Sequence, residues 1–228
     1  MEMNGNKPVF DPFGWAERFV SCDTIYQTVR WVSALFFAVL FVLRITDFHF
    51  YSHKALWLAE TSLFALFTLA YVTRGRPVER SSGWREIIVP LVASPLPFAL
   101  LLSPPSLAVI SSPASAGVLV SLMCVATFFS VWGLWYLRGS FSITAEARRL
   151  VTGGPYRWIR HPMYLGEIAS AMVVAVFRLS ALSLAVFALF TTLQLYRSRV
   201  EEHKLTGCFG SAYSETGGRA WWFLPYRG

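Results

Sequence analysis

The sequence has few charged residues and few cysteines. Asp, Glu, Lys and Arg make up only 14% of the 228 residues, whereas 55% are hydrophobic and the mean hydropathy is +0.48. Such a chain cannot cover a water-facing surface with polar side chains, which argues against an ordinary soluble domain. The three cysteines, Cys22, Cys124 and Cys208, lie far apart, so they indicate neither a disulfide framework nor a metal cluster.

The net charge of +7 does not indicate a nucleic-acid-binding protein. Such proteins carry Lys and Arg in one patch or stripe, whereas these basic residues fall in short stretches between apolar blocks. His49, His53 and His203 also lack the ligand spacing of a metal site. We therefore expect neither nucleic acid nor a metal ion as a partner.

The apolar residues form blocks long enough to cross a membrane, which takes about 20 residues of helix. Four blocks are predicted to be the spans of a membrane region over residues 29–137: Val29–Ile45, Leu56–Val72, Glu86–Leu102 and Ala114–Leu137. The third contains Pro90, Pro95 and Pro97, so we expect a kink there. A fifth stretch, Leu165–Tyr196, is interrupted at Arg178–Ser180, which predicts a helical hairpin. The predicted fold is an all-α, polytopic transmembrane helix bundle with four N-terminal spans and a C-terminal hairpin.

Arginines crowd two of the segments between the predicted spans. Lys and Arg mark cytoplasmic loops of membrane proteins, and the opposite loop Ser103–Pro113 has no basic residue. Residues 74–85, residues 138–160 and both termini are therefore predicted to be cytoplasmic, with residues 1–28 as a cytosolic N-terminal segment. The arginines that support this topology are Arg74, Arg76, Arg80 and Arg85 in the first segment, and Arg138, Arg148, Arg149, Arg157 and Arg160 in the second.

A glycine-proline turn followed by a helix start lies at Thr152–Glu167. Gly153-Gly154-Pro155 lets the backbone approach another group closely. His161-Pro162 then opens a helix, because proline is tolerated at the first helical position. Free N–H groups at that helix start could bind a small carboxylate or phosphate. The groups predicted for this anion site are the N–H groups of Met163, Tyr164 and Leu165 with the side chains of Arg157, Arg160 and His161.

A second polar cluster, at 197–205, combines arginines with two adjacent glutamates. On a helix Arg197 shares a face with Glu201, and Arg199 shares one with Glu202. The two carboxylates could hold an ammonium group or form a solvated helix end. The hairpin returns this cluster to the membrane face of the anion site, so that the two together would suit a zwitterionic amino-acid head group. Glu167, one turn into an apolar helix, should have a partner, for which Arg160 or Arg197 is available.

The spacing of these motifs resembles the isoprenylcysteine carboxyl methyltransferase family with its bacterial and phospholipid-methylating relatives. The resemblance covers about Leu150–Pro225. It rests on Gly154-Pro155-Tyr156-Arg157, then Arg160-His161-Pro162-Met163-Tyr164-Leu165-Gly166, then Glu201-Glu202 with Leu205, Phe209-Gly210, Tyr213 and Pro225.

The resemblance implies an S-adenosylmethionine-dependent methyltransferase whose residues 138–228 form the cofactor-binding region on the cytosolic side. A lipophilic acceptor, with a carboxylate expected, would enter from the bilayer. Cofactor binding is then expected of Gly154, Pro155, Tyr156, Arg160, His161, Pro162, Tyr164, Leu165, Gly166, Glu201 and Glu202. Catalysis is expected of Glu201 and of an arginine facing the acceptor, for which both Arg197 and Arg199 fit.

Two other functions stay open at this stage. Membrane sterol or steroid reductases that use NADPH share Arg-His-Pro-x-Tyr-x-Gly followed by an acidic residue, here Glu167. A membrane scaffold with a degenerate site is the non-enzymatic alternative. The Glu201-Glu202-x-x-Leu and Phe-Gly-x-x-Tyr segments favour the transferase.

Overall fold

The computed structural model describes residues 19–50, 54–75, 84–106, 112–142 and 149–217. Within these ranges the chain is helical and contains no β-strand, which confirms the all-α prediction. Short 3-10 helices cover Asp47–Phe50, Leu96–Leu102 and Gly154–Arg157. The α-helices are α1 (Cys22–Thr46), α2 (Lys54–Thr73), α3 (Trp84–Ala93), α4 (Pro113–Leu137), α5 (Pro162–Phe177) and α6 (Ala181–Gly217).

The apolar helices confirm a polytopic membrane bundle. Four helical stretches are long and apolar enough to cross a membrane: Tyr26–His49, Arg85–Leu102, Pro113–Leu137 and Ala181–Tyr213. Trp57–Thr73 and Pro162–Phe177 are shorter apolar helices. The apolar part of the second predicted span is therefore shorter than the about 20 residues that crossing a membrane takes. Large hydrophobic side chains such as Leu35, Phe36 and Leu122 are exposed on these helices, as lipid-facing residues would be.

The predicted kink and the predicted hairpin turn are both present. Pro90 lies inside α3, which ends at Ala93 before Leu96–Leu102 continues as a 3-10 helix. The hairpin turns between Phe177 and Ala181. Its second limb differs from the prediction, because α6 does not end near Tyr196 but runs to Gly217.

The helices pack in a row whose order differs from their order in the chain. Helix α1 contacts α2, α2 contacts α4, α4 contacts α5, α5 contacts α6, and α6 contacts α3. Two glycines allow α4 and α5 to approach closely. A Cβ on Gly133 would lie 3.1 Å from the Met163 nitrogen, and one on Gly166 would lie 2.7 Å from the Ala126 carbonyl oxygen. Small residues at a helix crossing are the usual device for close packing within a membrane.

Polar side chains form hydrogen bonds between helix ends at both ends of the bundle. At one end the Tyr26 hydroxyl donates to the Gly75 carbonyl at 2.7 Å, and Arg74 Nη2 donates to Ser142 Oγ at 3.0 Å. At the other end Ser103 and Ser180 are hydrogen-bonded at 2.8 Å. The described edges of the two arginine-rich loops therefore share one end of the bundle. That this end faces the cytoplasm stays a prediction. Most of the first loop (76–83), part of the second (143–148) and most of the N-terminal segment (1–18) lie outside the described residues.

Candidate active site

The turn before α5 is shaped by contact with α4. Gly154 has φ of +58°, a conformation that favours glycine, and a Cβ there would lie 2.4 Å from the Tyr136 ring. Pro155 is fully buried, and its carbonyl accepts the Ile159 N–H at 3.0 Å. Gly154 and Pro155 thus fix the direction in which the chain enters α5.

The backbone at the start of α5 differs from the predicted anion site. His161 is the N-cap and Pro162 the first helical residue, as expected. The Leu165 N–H, however, donates to the His161 carbonyl at 3.0 Å. An N-cap carbonyl accepts the first intrahelical bond, so the Leu165 N–H is not available to an anion. The Met163 nitrogen faces Gly133 of α4. The anion-binding capacity of this region therefore rests on side chains more than on free N–H groups.

Glu202 joins the two predicted clusters. Its Oε2 lies 3.2 Å from Arg160 Nη1, and its Oε1 lies 3.2 Å from His161 Nε2, which must carry the proton in this hydrogen bond. The side chains of Arg160 and Glu202 are 9% and 17% exposed, so water screens the ion pair only weakly. The hairpin has brought the start of α5 and the acidic pair of α6 into direct contact.

Glu201 belongs to a second set of contacts, centred on Tyr164. The Tyr164 hydroxyl donates to Glu201 Oε1. One face of the Tyr164 ring stacks with His161 at a centroid distance of 5.4 Å. The Arg197 guanidinium lies 4.9 Å from the centroid of the same ring, and Arg197 is only 4% exposed. Tyr164 therefore holds a histidine, a carboxylate and a buried cation together.

The contacts continue from Arg197 toward the middle of α5 and α6. Arg197 Nη1 donates to Gln194 Oε1 at 3.1 Å, and Gln194 Nε2 donates to Glu167 Oε2. Arg197, one of the two arginines predicted as a partner of Glu167, interacts with it electrostatically, and the hydrogen bond to Glu167 comes from Gln194. Sequence reasoning missed Gln194 because a single amide adds no charge to the pattern. Its position three residues before Arg197 in an otherwise apolar stretch was the available signal.

Two predicted site residues lie elsewhere. Arg199 is exposed on α6, whereas Arg197 is buried in the cluster. Gly166 faces α4, where a Cβ would lie 2.3 Å from Ser130 Oγ. The structure gives Gly166 a role in helix packing, although the sequence suggested cofactor binding.

Tyr156 lies near the same carboxylates. Burial raises the pKa of its phenol, and the negative charges of Glu201 and Glu167 raise it further. The phenol therefore stays protonated at neutral pH and can donate a hydrogen bond. Tyr156 remains in the group of residues that the structure brings together.

Tyr213 completes the cluster from the far end of α6. Gly210 has φ of +51° and ψ of −125°, and it kinks the helix there. Beyond the kink Tyr213 is buried and interacts electrostatically with Glu202 and Arg160. The Phe-Gly-x-x-Tyr spacing signalled this residue, but its place in the site required the kink.

Helix α3 is tied to the same end of α6. Lys204 Nζ forms an ion pair with Glu86 Oε2, and the Lys204 side chain is 4% exposed. Among the residues that the structure describes, no three His, Cys, Asp or Glu side chains are grouped so that they could hold a metal ion. The described part of the site consists of ion pairs, hydrogen-bonded side chains and aromatic rings.

Comparison with known families agrees with the motifs. Residues 96–206, a little under half of the chain, match the isoprenylcysteine carboxyl methyltransferase (ICMT) family. This match confirms the resemblance predicted from the sequence and, with the apolar helices, supports an integral membrane methyltransferase. Comparison with curated proteins and with solved structures gives no match.

Proposed function

We propose that the protein is an S-adenosylmethionine-dependent methyltransferase that methylates a lipophilic acceptor with an acidic head group at the cytosolic membrane face. The observation that carries this proposal is the direct contact between the start of α5 and the Glu201-Glu202 pair of α6. Arg160 and His161 are hydrogen-bonded to Glu202, and the Tyr164 hydroxyl donates to Glu201 beside them. These residues come from the segments by which the chain resembles the ICMT family.

The chemistry of the side chains fits this cofactor. Its amino-acid end carries an ammonium and a carboxylate, and the cluster offers both glutamates and the cationic Arg160. Glu201 accepts its hydrogen bond from the neutral Tyr164, so that bond does not cancel its negative charge. The residues that would hold the cofactor are Arg160, His161, Tyr164, Glu201 and Glu202, with the turn Gly154–Tyr156. When bound, the cofactor supplies a methyl group on a positively charged sulfur.

Arg197 is the side chain best suited to an acidic acceptor. It lies one helical turn, about 6 Å, before Glu201, on the side of the site that faces the apolar part of α6. A guanidinium can grip a carboxylate with two hydrogen bonds. A carboxylate acceptor is already nucleophilic, so the site needs no general base. The apolar surroundings favour an acceptor with a long hydrocarbon tail that enters from the bilayer.

Methyl transfer from labelled S-adenosylmethionine in liposomes tests the proposal. The acceptors to compare are a prenylated thioether acid, phosphatidylethanolamine and a short water-soluble thiol. We expect methylation of the prenylated acid. Efficient methylation of the soluble thiol with neither lipid modified would contradict entry from the bilayer.

Two arginine variants test the role of Arg197. Arg197→Ala should lower turnover more than cofactor affinity, because the guanidinium is assigned to the acceptor. Arg199→Ala is the matched control on the same helix and should change little, because its side chain is exposed. Equal losses in the two variants would rule out this assignment.

A further inference from the structure

Gln194 is a fully buried amide in the apolar part of α6. It is 1% exposed, and a buried amide is costly unless its polar atoms are hydrogen-bonded. Both ends of the amide are used. The oxygen accepts from Arg197 Nη1 at 3.1 Å, and the nitrogen donates to Glu167 Oε2. The two partners therefore fix the orientation of the amide, since a flipped amide would satisfy neither.

The register of two helices produces this arrangement. Gln194, Arg197 and Glu201 are three and four residues apart, so they share one face of α6. Tyr164 and Glu167 are three apart and share one face of α5. Where these faces meet, the Arg197 guanidinium lies over the Tyr164 ring and donates a hydrogen bond to the Gln194 amide oxygen.

We propose that Gln194 and Glu167 are positioning residues that hold the Arg197 guanidinium in the orientation needed to bind the methyl acceptor. This inference rests on the proposed function. Gln194 acts through its hydrogen bond to Arg197. Glu167 acts through Gln194 and through its charge, because an arginine in an apolar helix needs a nearby carboxylate. The hydrogen bonds of Gln194 go to Arg197 and Glu167 and not to the groups that would hold the cofactor, so replacing Gln194 should affect the acceptor step and leave cofactor binding intact.

Gln194→Met tests the role of the amide with little change in volume. Thr192→Val is the matched control, because the Thr192 hydroxyl is exposed and bonds only to the Ala188 carbonyl of its own helix. The measurements are kcat and KM with the prenylated thioether acid in liposomes, and the Kd of S-adenosylmethionine. Gln194→Met should lower kcat/KM for the acid roughly 10- to 150-fold, the range for a lost hydrogen bond to a charged group, while the cofactor Kd stays unchanged.

A double variant separates positioning from a general structural role. If Gln194 acts through Arg197, then Gln194→Met should cause no further loss of turnover in the Arg197→Ala background. Losses that multiply in the double variant would show that Gln194 acts independently of Arg197 and would overturn the inference.

Glu167 provides a test that does not depend on the folding of the Gln194 variant. Glu167→Gln keeps an acceptor for the Gln194 amide, whereas Glu167→Met removes it, so Glu167→Gln should retain more turnover. Equal turnover in the wild type and both Glu167 variants would refute the role of Glu167.

The outcomes also distinguish this inference from the proposed function. If the wild type does not methylate the prenylated acid, the proposed function is wrong and the inference falls with it. If the wild type methylates the acid and Gln194→Met is equally active, only the inference is wrong. A Gln194→Met variant that loses cofactor binding as much as turnover would also overturn it, because that pattern indicates a structural role.

Discussion

Replacing Gly166 by alanine should separate α4 from α5. The added Cβ would lie 2.3 Å from Ser130 Oγ and 2.7 Å from both the Ala126 carbonyl oxygen and the Ser130 nitrogen. A serine side chain can rotate away, but the two backbone atoms can yield only if the helix moves. We therefore expect α5 to shift by several tenths of an ångström relative to α4.

The expected cost of Gly166→Ala is that of overpacking a helix interface, about 1–3 kcal/mol. For a chain of this size, 1 kcal/mol corresponds to roughly 2–4 °C in melting temperature. The shift should also weaken cofactor binding, because His161 and Tyr164 lie on the same helix as Gly166. Their hydrogen bonds to Glu202 and Glu201 depend on how α5 is placed against α6, and such bonds weaken steeply with distance and angle.

Thermal unfolding in detergent and calorimetry with S-adenosylmethionine would measure the two effects of Gly166→Ala. Gly117→Ala in α4 is the matched control, because nothing lies within 4 Å of a Cβ at that position. Replacing helical glycine by alanine there should be neutral or stabilising by up to about 1 kcal/mol. Adding Ser130→Gly to Gly166→Ala should restore only part of the stability, because the clashes with backbone atoms remain. If Gly166→Ala were as stable as Gly117→Ala, the account of the helix crossing would be refuted.

Three further changes have defined expectations. Glu201→Gln should weaken S-adenosylmethionine binding about 10- to 150-fold, as expected for losing an interaction of roughly 1.5–3 kcal/mol. Calorimetry measures this affinity, and Glu60→Gln is the control that should bind the cofactor as the wild type does. Equal affinities of the two variants would contradict the role of Glu201. Gly210→Ala should destabilise the protein by about 1–3 kcal/mol in thermal unfolding, because the Gly210 backbone has a positive φ in a region that other residues rarely adopt, whereas Gly207→Ala should not. Equal stabilities would argue against the kink. A cysteine introduced at Ser81 should be labelled only by reagents that are present on the cytosolic side. Labelling from outside would contradict the predicted topology.

The sequence was sufficient for the features that the bilayer imposes. A membrane helix needs about 20 apolar residues, so hydropathy located the spans, and Arg178 located the hairpin turn. The prolines of the third span predicted its kink, because a proline inside a helix removes a backbone hydrogen bond. Hydropathy did not predict the length of α6, because the polar residues after Tyr196 leave the apolar pattern but continue the helix.

The site was predicted less completely, since contacts between helices depend on how each helix is rotated. Arg197 and Arg199 looked equivalent in the motif, yet two positions correspond to a rotation of about 200° on a helix. Only Arg197 shares a face with Gln194 and Glu201, and it is the arginine buried in the cluster. Gly166 was assigned to cofactor binding from its motif. Its packing role depends on which residues of α4 it meets, and a single sequence does not contain that alignment.

Calorimetry on the purified protein tests the central claim most directly. We predict that S-adenosylmethionine binds the wild type, that NADPH does not, and that Glu202→Gln binds the cofactor at least about tenfold more weakly, because both oxygens of Glu202 are engaged by Arg160 and His161. Binding of NADPH without binding of S-adenosylmethionine would contradict the account and favour a reductase. Unchanged S-adenosylmethionine affinity in Glu202→Gln would contradict the assignment of the site.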